Sequence, residues 1–420
     1  MGVRARVVSP APTKAAALAS LTQPPLSSMT AHHSPDTVEW LTRLIAHPTV
    51  SRDTNLPLIE EVQDFLDRFG INATLTFDAK GHKANLYATI GPADRPGICL
   101  SGHTDVVPTE GQAWDTDPFS ATVIDGKLYG RGACDMKGFV AAVLAKVPDW
   151  AKAPLEAPIH LAFSYDEEVG CLGVKSLIAD LEARNARPAL CIVGEPTEMK
   201  PVTGHKGKLS LRGIVTGYEC HSSLAPDGVN AVQYAAELIT ALKRLAENKA
   251  AKGPFDPTFD PPHTTVHVGR VSGGTALNIV PNDCRFDFEF RLLPGEEGET
   301  EFAPIKALAD RLTAEMQAIR ANTGFRFEEI ARFPGLGLAE DHPLTTLTKA
   351  LAGANDTGKV SFGTEAGRFQ AAGVPTIVCG PGSIAQAHKP NEFVALSELD
   401  RCSAFLDRLT ARAVAGTLPI

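Results

Sequence analysis

The stretch Ile-Cys-Leu-Ser-Gly-His-Thr-Asp at residues 98–105 joins a short apolar run directly to a histidine and an aspartate. Apolar runs of similar length occur at residues 86–90, 159–163, 190–193 and 376–378. Short runs of this kind predict strands buried on both faces, and helical stretches such as 139–147 lie between several of them. The pattern therefore predicts an α/β unit built on a mostly parallel sheet. Asp125-Gly126, flanked by apolar pairs, predicts a hairpin turn and one antiparallel excursion of that sheet.

The middle of the chain has a different pattern. Alternating segments around residues 209–211, 265–271, 284–292 and 325–327 are separated by two amphipathic stretches, in the order β-α-β-β-α-β. The first of these helices is predicted to place Val232, Ala235, Ile239, Leu242 and Ala246 on one face. In the third strand, Phe286, Phe288, Phe290 and Leu292 should face the core. The sequence therefore predicts a ferredoxin-like module at residues 205–334, inserted between residues 35–204 and 335–420.

Length and composition limit the classes of protein. A chain of 420 residues exceeds the size at which one hydrophobic core stops growing, so two compact units are expected. The net charge of −9 argues against nucleic-acid binding, and no apolar run is long enough to span a bilayer, so a small-molecule partner is expected. Eight cysteines without a C-x-x-C pair predict free thiols in a reducing compartment, the cytoplasm. Residues 1–34, with an internal Met29, are expected to be a flexible extension.

Candidate metal ligands follow the predicted strands or lie in loops, where α/β proteins place their sites. Each is weak alone, because a lone histidine is more often structural, a single carboxylate is most simply a helix cap, and adjacent acids usually form a solvated turn. Together, two histidines and three carboxylates are what two adjacent divalent ions need. Asp105 could orient His103 by accepting its other ring N–H, and Glu167 would be left over as the base. The five candidate ligands are His103, Asp135, Glu168, Glu195 and His388.

These motifs, in this order from about residue 36 to the C-terminus, resemble the M20 family of dinuclear zinc aminoacylases and deacylases. The resemblance implies that His103 and Glu195 hold one ion and Glu168 and His388 the other, with Asp135 bridging. The ions would be zinc, with cobalt as an alternative. It further implies a cis peptide after Asp135, a role for Asp105 in orienting His103, and Glu167 as the group that takes a proton from the attacking water and returns it to the leaving amine.

The same resemblance assigns residues 35–204 and 335–420 to the metal-dependent catalytic domain and the inserted module to a lid and dimerisation domain, which implies a homodimer. His221 would donate to the oxyanion in the active site of the partner subunit, although without the family a surface turn histidine is the simpler interpretation. Asn278 and Arg291 would recognise the substrate carboxylate, a task that suits the guanidinium fork.

Within the family, the loops at residues 204–207, 362–367 and 380–390 resemble those of acetylornithine deacetylases. The implied reaction is hydrolysis of N2-acetyl-L-ornithine to L-ornithine and acetate, in arginine biosynthesis. Glu365 could pair with the ammonium group of ornithine, or instead with Arg368, and an arginine at this place also resembles the succinyl-diaminopimelate desuccinylases. The alternatives are that desuccinylase, a broader N-acyl-amino-acid amidohydrolase or dipeptidase, and a binding protein that has lost its metals.

Overall fold

The largest sheet of the protein carries the predicted strands of the α/β unit. It is seen in a computed structural model that describes residues 35–420, so the predicted extension at residues 1–34 lies outside the described residues. The strands of all the sheets in residues 35–420 are β1 (Ala73–Phe77), β2 (Ala84–Ile90), β3 (Ile98–His103), β4 (Thr122–Ile124), β5 (Lys127–Tyr129), β6 (Ile159–Ser164), β7 (Leu190–Pro196), β8 (Val202–His205), β9 (Gly207–Thr216), β10 (Thr265–Gly273), β11 (Asp283–Leu292), β12 (Gly324–Phe333), β13 (Leu336–Gly337), β14 (Gly358–Val360), β15 (Thr376–Gly380) and β16 (Phe393–Ala395).

Helices lie between several of these strands, as the sequence predicts. A short irregular turn at Ala133–Lys137 precedes the third helix, and a 3₁₀ helix covers Ser222–Asp227. The α-helices are α1 (Pro35–Ile45), α2 (Leu56–Asp67), α3 (Gly138–Trp150), α4 (Val174–Ala183), α5 (Ala231–Lys252), α6 (Gly298–Ile319), α7 (Pro343–Ala352), α8 (Ala366–Ala371) and α9 (Leu396–Val414). None of the helices in residues 35–420 is both long and apolar enough to cross a membrane.

The large sheet has the order β1-β2-β6-β3-β7-β15-β8-β13, with β14 beside β8. Its four central strands, β6, β3, β7 and β15, are parallel, and antiparallel pairs lie toward both edges. The prediction of a mostly parallel sheet is confirmed. Because the four central strands run the same way, their carboxyl ends meet at one edge of the sheet, and the loops that follow them lie close together.

Two hydrophobic clusters cover the two faces of this sheet. Leu100 and Ile192 belong to a cluster that includes α1, α3 and α9, whereas Cys99 and Cys191 belong to one that includes α4 and α8. Successive residues of a strand point to opposite faces, so adjacent apolar residues are needed when both faces are covered. This is why the strands appear in the sequence as continuous apolar runs.

The inserted module forms a separate antiparallel sheet of order β10-β11-β9-β12, with α5 and α6 packed against it. The β-α-β-β-α-β order is confirmed, and Phe286, Phe288, Phe290 and Leu292 are buried as predicted. One detail of the helix prediction is wrong: Val232 is exposed, and Leu238 is buried on the core face of α5 instead. The domain boundaries at residues 205 and 334 stay a prediction.

The Asp125-Gly126 turn joins β4 and β5, and both turn residues have the positive φ that a tight hairpin requires. The hairpin therefore forms as predicted, but it does not belong to the main sheet, where it was expected. It pairs with β16 in a separate three-stranded sheet instead of forming an excursion of the main one. The main sheet obtains its antiparallel strands at its edges.

Candidate metal centre

The five candidate ligands lie around the carboxyl ends of the central strands. His103 is the last residue of β3, Glu195 is the next to last of β7, and Glu168 follows β6 by four residues. Asp135 lies in the irregular turn before α3, and His388 lies in the loop after β15. Residues separated by up to 285 positions in the chain are thus brought to one edge of the sheet because the parallel strands end there.

Asp135 lies between the two imidazoles. Its Oδ1 is 3.1 Å from Nε2 of His103, and its Oδ2 is 3.2 Å from Nε2 of His388. Glu168 Oε2 is 3.0 Å from the same nitrogen of His388, and Glu195 Oε1 is 3.9 Å from Nε2 of His103. The carboxylate of Asp135 therefore has one oxygen toward each half of the cluster. The peptide bond between Asp135 and Met136 is cis, as predicted.

Two overlapping groups have ligand atoms within 4.8 Å of one another: His103 with Asp135 and Glu168, and His103 with Glu167 and Glu195. Carboxylate oxygens and imidazole nitrogens are a donor set that suits divalent first-row ions. The chain therefore has a cluster that fits a metal ion.

Electrostatics point the same way. Burial, together with the nearby charge of Asp135, raises the pKa of the Glu168 carboxyl to about 7 and holds the pKa of Glu195 well above its usual range. Hydrogen bonds to Asp135 and Glu168 raise the pKa of His388 to about 10. Buried carboxylates that repel one another must hold protons unless a cation neutralises them. A metal ion would take the place of these protons.

Glu167 is next to this cluster. Its Oε1 accepts a hydrogen bond from the thiol of Cys171 at 3.1 Å, and burial, with the neighbouring Glu168 carboxylate, raises its pKa above the usual range. A carboxyl group with a raised pKa is better matched to proton transfer near neutral pH than an ordinary glutamate. The position and environment of Glu167 suit a general acid and base.

Asp105 has a wider set of partners than the sequence indicates. His103 Nδ1 lies 2.9 Å from the backbone oxygen of Asp105 and 3.6 Å from its carboxylate, so the carbonyl is the nearer acceptor. The carboxylate accepts hydrogen bonds from the Ser51 hydroxyl at 2.7 Å and from the backbone N–H groups of Glu167 and Glu168. Asp105 thus contacts both the end of β3 and the loop that carries the two glutamates. Sequence analysis missed Ser51, which has no distinguishing local pattern.

Glu392 is a buried acid that sequence analysis also missed. It lies four residues after His388 and accepts hydrogen bonds from the backbone of the turn that carries Asp135. Its closeness in sequence to the predicted ligand His388 was the available signal of a role at the site. Its hydrogen-bond partners could not be predicted, because they lie about 260 residues away in the chain.

Glu365 is fully buried, and its two oxygens accept hydrogen bonds from the hydroxyls of Ser101 and Ser164, each at 2.6 Å. Arg368 donates instead to the backbone carbonyls of Gly170, Cys171 and Arg332. The alternative ion pair between Glu365 and Arg368 is therefore not formed. A direct contact of Glu365 with a substrate ammonium group stays a prediction.

The three remaining predicted residues lie in the inserted module. His221 is exposed and shares a hydrogen bond with the Ser223 hydroxyl at 2.7 Å, and the backbone oxygen of Asn278 accepts from Ser222. Arg291 donates to Glu289 at 3.0 Å. Within residues 35–420, the hydrogen bonds and ion pairs of these three residues do not include the five candidate ligands. The structure thus brings His221 and Asn278 to neighbouring loops, but not to the metal cluster of their own chain.

Comparisons with known proteins agree with this geometry. The sequence profile of peptidase family M20/M25/M40 matches residues 99–412. An acetylornithine deacetylase of Myxococcus xanthus is 36% identical over 391 residues, which cover 90% of this chain and 97% of that protein.

Solved structures share the fold. An M20 family metallo-carboxypeptidase from Sulfolobus solfataricus superposes with a TM-score of 0.71 at 19% identity, covering 90% of this chain and 99% of that one. A Bacillus subtilis M20 peptidase, described as binding a dinuclear metal, gives a TM-score of 0.61 at 15% identity, covering 92% and 99%. At these identities the likeness is one of fold alone.

Proposed function

The chain belongs to peptidase family M20/M25/M40 and is a metal-dependent amidohydrolase, and from that premise we propose that it hydrolyses N2-acetyl-L-ornithine to L-ornithine and acetate. The observation that carries the hydrolytic part is the position of Asp135 between His103 and His388, with Glu167 beside the same cluster. The substrate is proposed from the likeness to the acetylornithine deacetylase, which extends over nine-tenths of the chain.

The proposed centre would hold two divalent ions, zinc or alternatively cobalt. His103 and Glu195 would hold one ion, Glu168 and His388 the other, and Asp135 both. The two oxygens of Asp135 lie toward different imidazoles, which supports a bridging role. The relative from Bacillus subtilis that is described as dinuclear has the same fold.

In the proposed reaction, bound ions would supply the Lewis acidity needed to polarise the amide carbonyl and to lower the pKa of the attacking water. Glu167 accepts the proton of the attacking water and later donates it to the leaving amine. The raised pKa of Glu167 supports both steps, because the group can hold a proton at neutral pH and release it at little cost. Asp105 keeps the backbone of Glu167 in place through its Oδ1.

We propose that the enzyme works as a homodimer, in which His221 of one subunit donates to the oxyanion in the site of the other. Asn278 and Arg291 would bind the substrate carboxylate. His221 is exposed, and its side-chain hydrogen bonds are local, to Ser223, so the imidazole is accessible to a second chain. His221 and Asn278 lie on neighbouring loops, so both residues would approach the partner subunit together.

The position of Arg368 bears on the competing substrate. A desuccinylase would need a cation for the succinyl carboxylate, but the guanidinium of Arg368 already donates to three backbone carbonyls. This favours an acetyl over a succinyl substrate.

The eight free cysteines fit a reducing compartment, so we expect the enzyme to act in the cytoplasm, in arginine biosynthesis.

The test is amine release from N2-acetyl-L-ornithine by metal-free protein and by protein reconstituted with two equivalents of zinc or cobalt. N-succinyl-diaminopimelate, an acetylated neutral amino acid and a dipeptide are measured beside it. We expect activity only with metal, and the highest kcat/KM on acetylornithine. A higher kcat/KM on another substrate would overturn the substrate proposal and keep the hydrolase. Failure to bind metal would overturn the mechanism.

A further inference from the structure

Glu392 is a buried carboxylate, 1% exposed, that lies directly before β16. Its Oε1 accepts hydrogen bonds from the backbone N–H groups of Cys134 at 2.9 Å and Asp135 at 3.0 Å. Its Oε2 accepts from the backbone N–H of Gly132 at 3.0 Å and from the guanidinium of Arg131 at 2.8 Å. Both oxygens are therefore fully used, and three of the four donors are backbone N–H groups of residues 132–135, at the start of the turn that contains Asp135.

An ionised carboxylate is the side-chain group that can accept all four of these hydrogen bonds. Each of its oxygens accepts two hydrogen bonds, whereas an amide offers one accepting oxygen and an NH₂ group that would face other donors. The arrangement fixes the backbone on which the Asp135 side chain is built. Buried donors left without an acceptor would destabilise that turn.

The same network reaches the opposite ligand of Asp135. The guanidinium of Arg131 also donates to Oε1 of Gln112, and Nε2 of Gln112 donates to the backbone oxygen of His388 at 3.0 Å. His388 has a φ of 62°, in the left-handed region that side chains other than glycine rarely adopt, so its backbone needs such support. A continuous set of contacts thus runs from the backbone of Asp135 through Glu392, Arg131 and Gln112 to the backbone of His388.

We propose that Glu392 is a positioning residue of the metal centre, which acts through Arg131 and Gln112 to set the separation between the Asp135 carboxylate and the His388 imidazole. The inference rests on the proposed function, in which these two residues share an ion. Glu392 itself is not a metal ligand in this proposal, because all of its accepting positions are occupied by N–H donors.

The test is metal binding and catalysis by Glu392→Gln. Outer partners of metal ligands typically contribute about 10–100-fold to metal affinity, so we expect the weaker-bound of two zinc ions to lose affinity by about that factor in calorimetric titration. The visible spectrum of the cobalt-substituted protein should change, and kcat should fall while KM changes little. A folded variant with wild-type affinities and an unchanged cobalt spectrum would overturn the proposal.

Glu296→Gln is the matched control. Glu296 is also a largely buried carboxylate, and it accepts from Lys249, Thr264 and the backbone of Leu293, but it lies in the inserted module. Its replacement should lower the melting temperature without changing metal affinity or the cobalt spectrum. An equal change of metal affinity in both variants would reduce the effect of Glu392 to general destabilisation and overturn the proposal.

If Glu392→Gln does not fold, Gln112→Leu tests the same contacts, because it removes the link between Arg131 and His388, along with the hydrogen bond that Gln112 accepts from the indole N–H of Trp114. We expect its affinity for the second ion to fall as well, and an unchanged affinity would overturn the proposal. The wild-type protein separates the two levels of inference. If it binds two ions and the variants do so equally well, only the role of Glu392 fails; if it binds none, the proposed function fails first.

Discussion

The backbone N–H of Glu167 donates a hydrogen bond to Oδ1 of Asp105 at 3.1 Å. Oδ2 of the same carboxylate lies 3.3 Å from the N–H of Glu168. Asp105 follows the proposed ligand His103 by two residues, and its backbone oxygen lies within hydrogen-bonding distance of that imidazole. One residue thus joins the end of β3 to the loop that carries both the proposed base and a proposed ligand.

We expect Asp105→Asn to lower kcat by about 10–100-fold, the usual effect of losing an outer partner of a metal ligand. The amide replaces one accepting oxygen with a donor, which must face the N–H of Glu167 or of Glu168, or the hydroxyl of Ser51. Steady-state kinetics at saturating zinc measure the effect. Ser51→Ala is the control: it removes one donor and leaves the carboxylate, so a loss of only a few-fold is expected. Full activity in Asp105→Asn would exclude this role.

Replacing Glu167 with glutamine should separate catalysis from metal binding. The amide cannot accept and return a proton, so kcat should fall by about 10²–10⁴-fold while both zinc ions still bind. Cys171→Ala is the companion variant, because it removes the thiol that donates to Glu167 and leaves the carboxylate. Its kcat should stay within about tenfold of the wild type. A Glu167→Gln variant that keeps most of its activity would require another base.

His221→Ala should lower kcat by about 10²–10³-fold, the typical loss for one oxyanion donor, without changing metal content. Mixing it with inactive Glu167→Gln tests whether the donor comes from the partner subunit. In a mixed dimer, one site would have Glu167 from the first chain and His221 from the second. Random exchange should therefore restore about a quarter of wild-type activity in a two-fold symmetric dimer. Dimeric mixtures that stay inactive would exclude a His221 donor that comes from the partner subunit.

The metal-free protein should lose stability as pH rises from about 4.5 to about 7. Burial raises the pKa of Glu168 to about 7, so in this range the native state holds a proton that the unfolded chain releases. His388 acts in the same direction: its pKa is raised to about 10, so its contribution is complete below 6.5 and is lost as pH rises toward 10. Chemical unfolding at several pH values, with and without zinc, measures both effects. Zinc should remove the decline, and a metal-free stability that rises with pH would contradict the assignment.

Much of the fold follows from local sequence patterns. Strand β3 and its parallel neighbours were predictable because a strand covered on both faces must be continuously apolar, and the polar residues that end it mark the edge of the sheet. The inserted module was predictable for a related reason, since the alternation at residues 284–292 separates a core face from an exposed one. Periodicity predicted α5 but did not predict that Val232 is exposed. Whether that side chain is covered depends on which other element packs against the start of the helix.

By itself, the sequence determined the types of residue at the candidate metal centre and the strands that carry them. Only the tertiary structure decided how those residues are held. Asp135 is supported by Glu392, 257 residues away, and the hairpin at Asp125-Gly126 pairs with β16 instead of the main sheet. The acceptor of a backbone N–H, or the partner of an edge strand, is chosen by distance in space. Such contacts have no period along the chain, so a local pattern cannot indicate them.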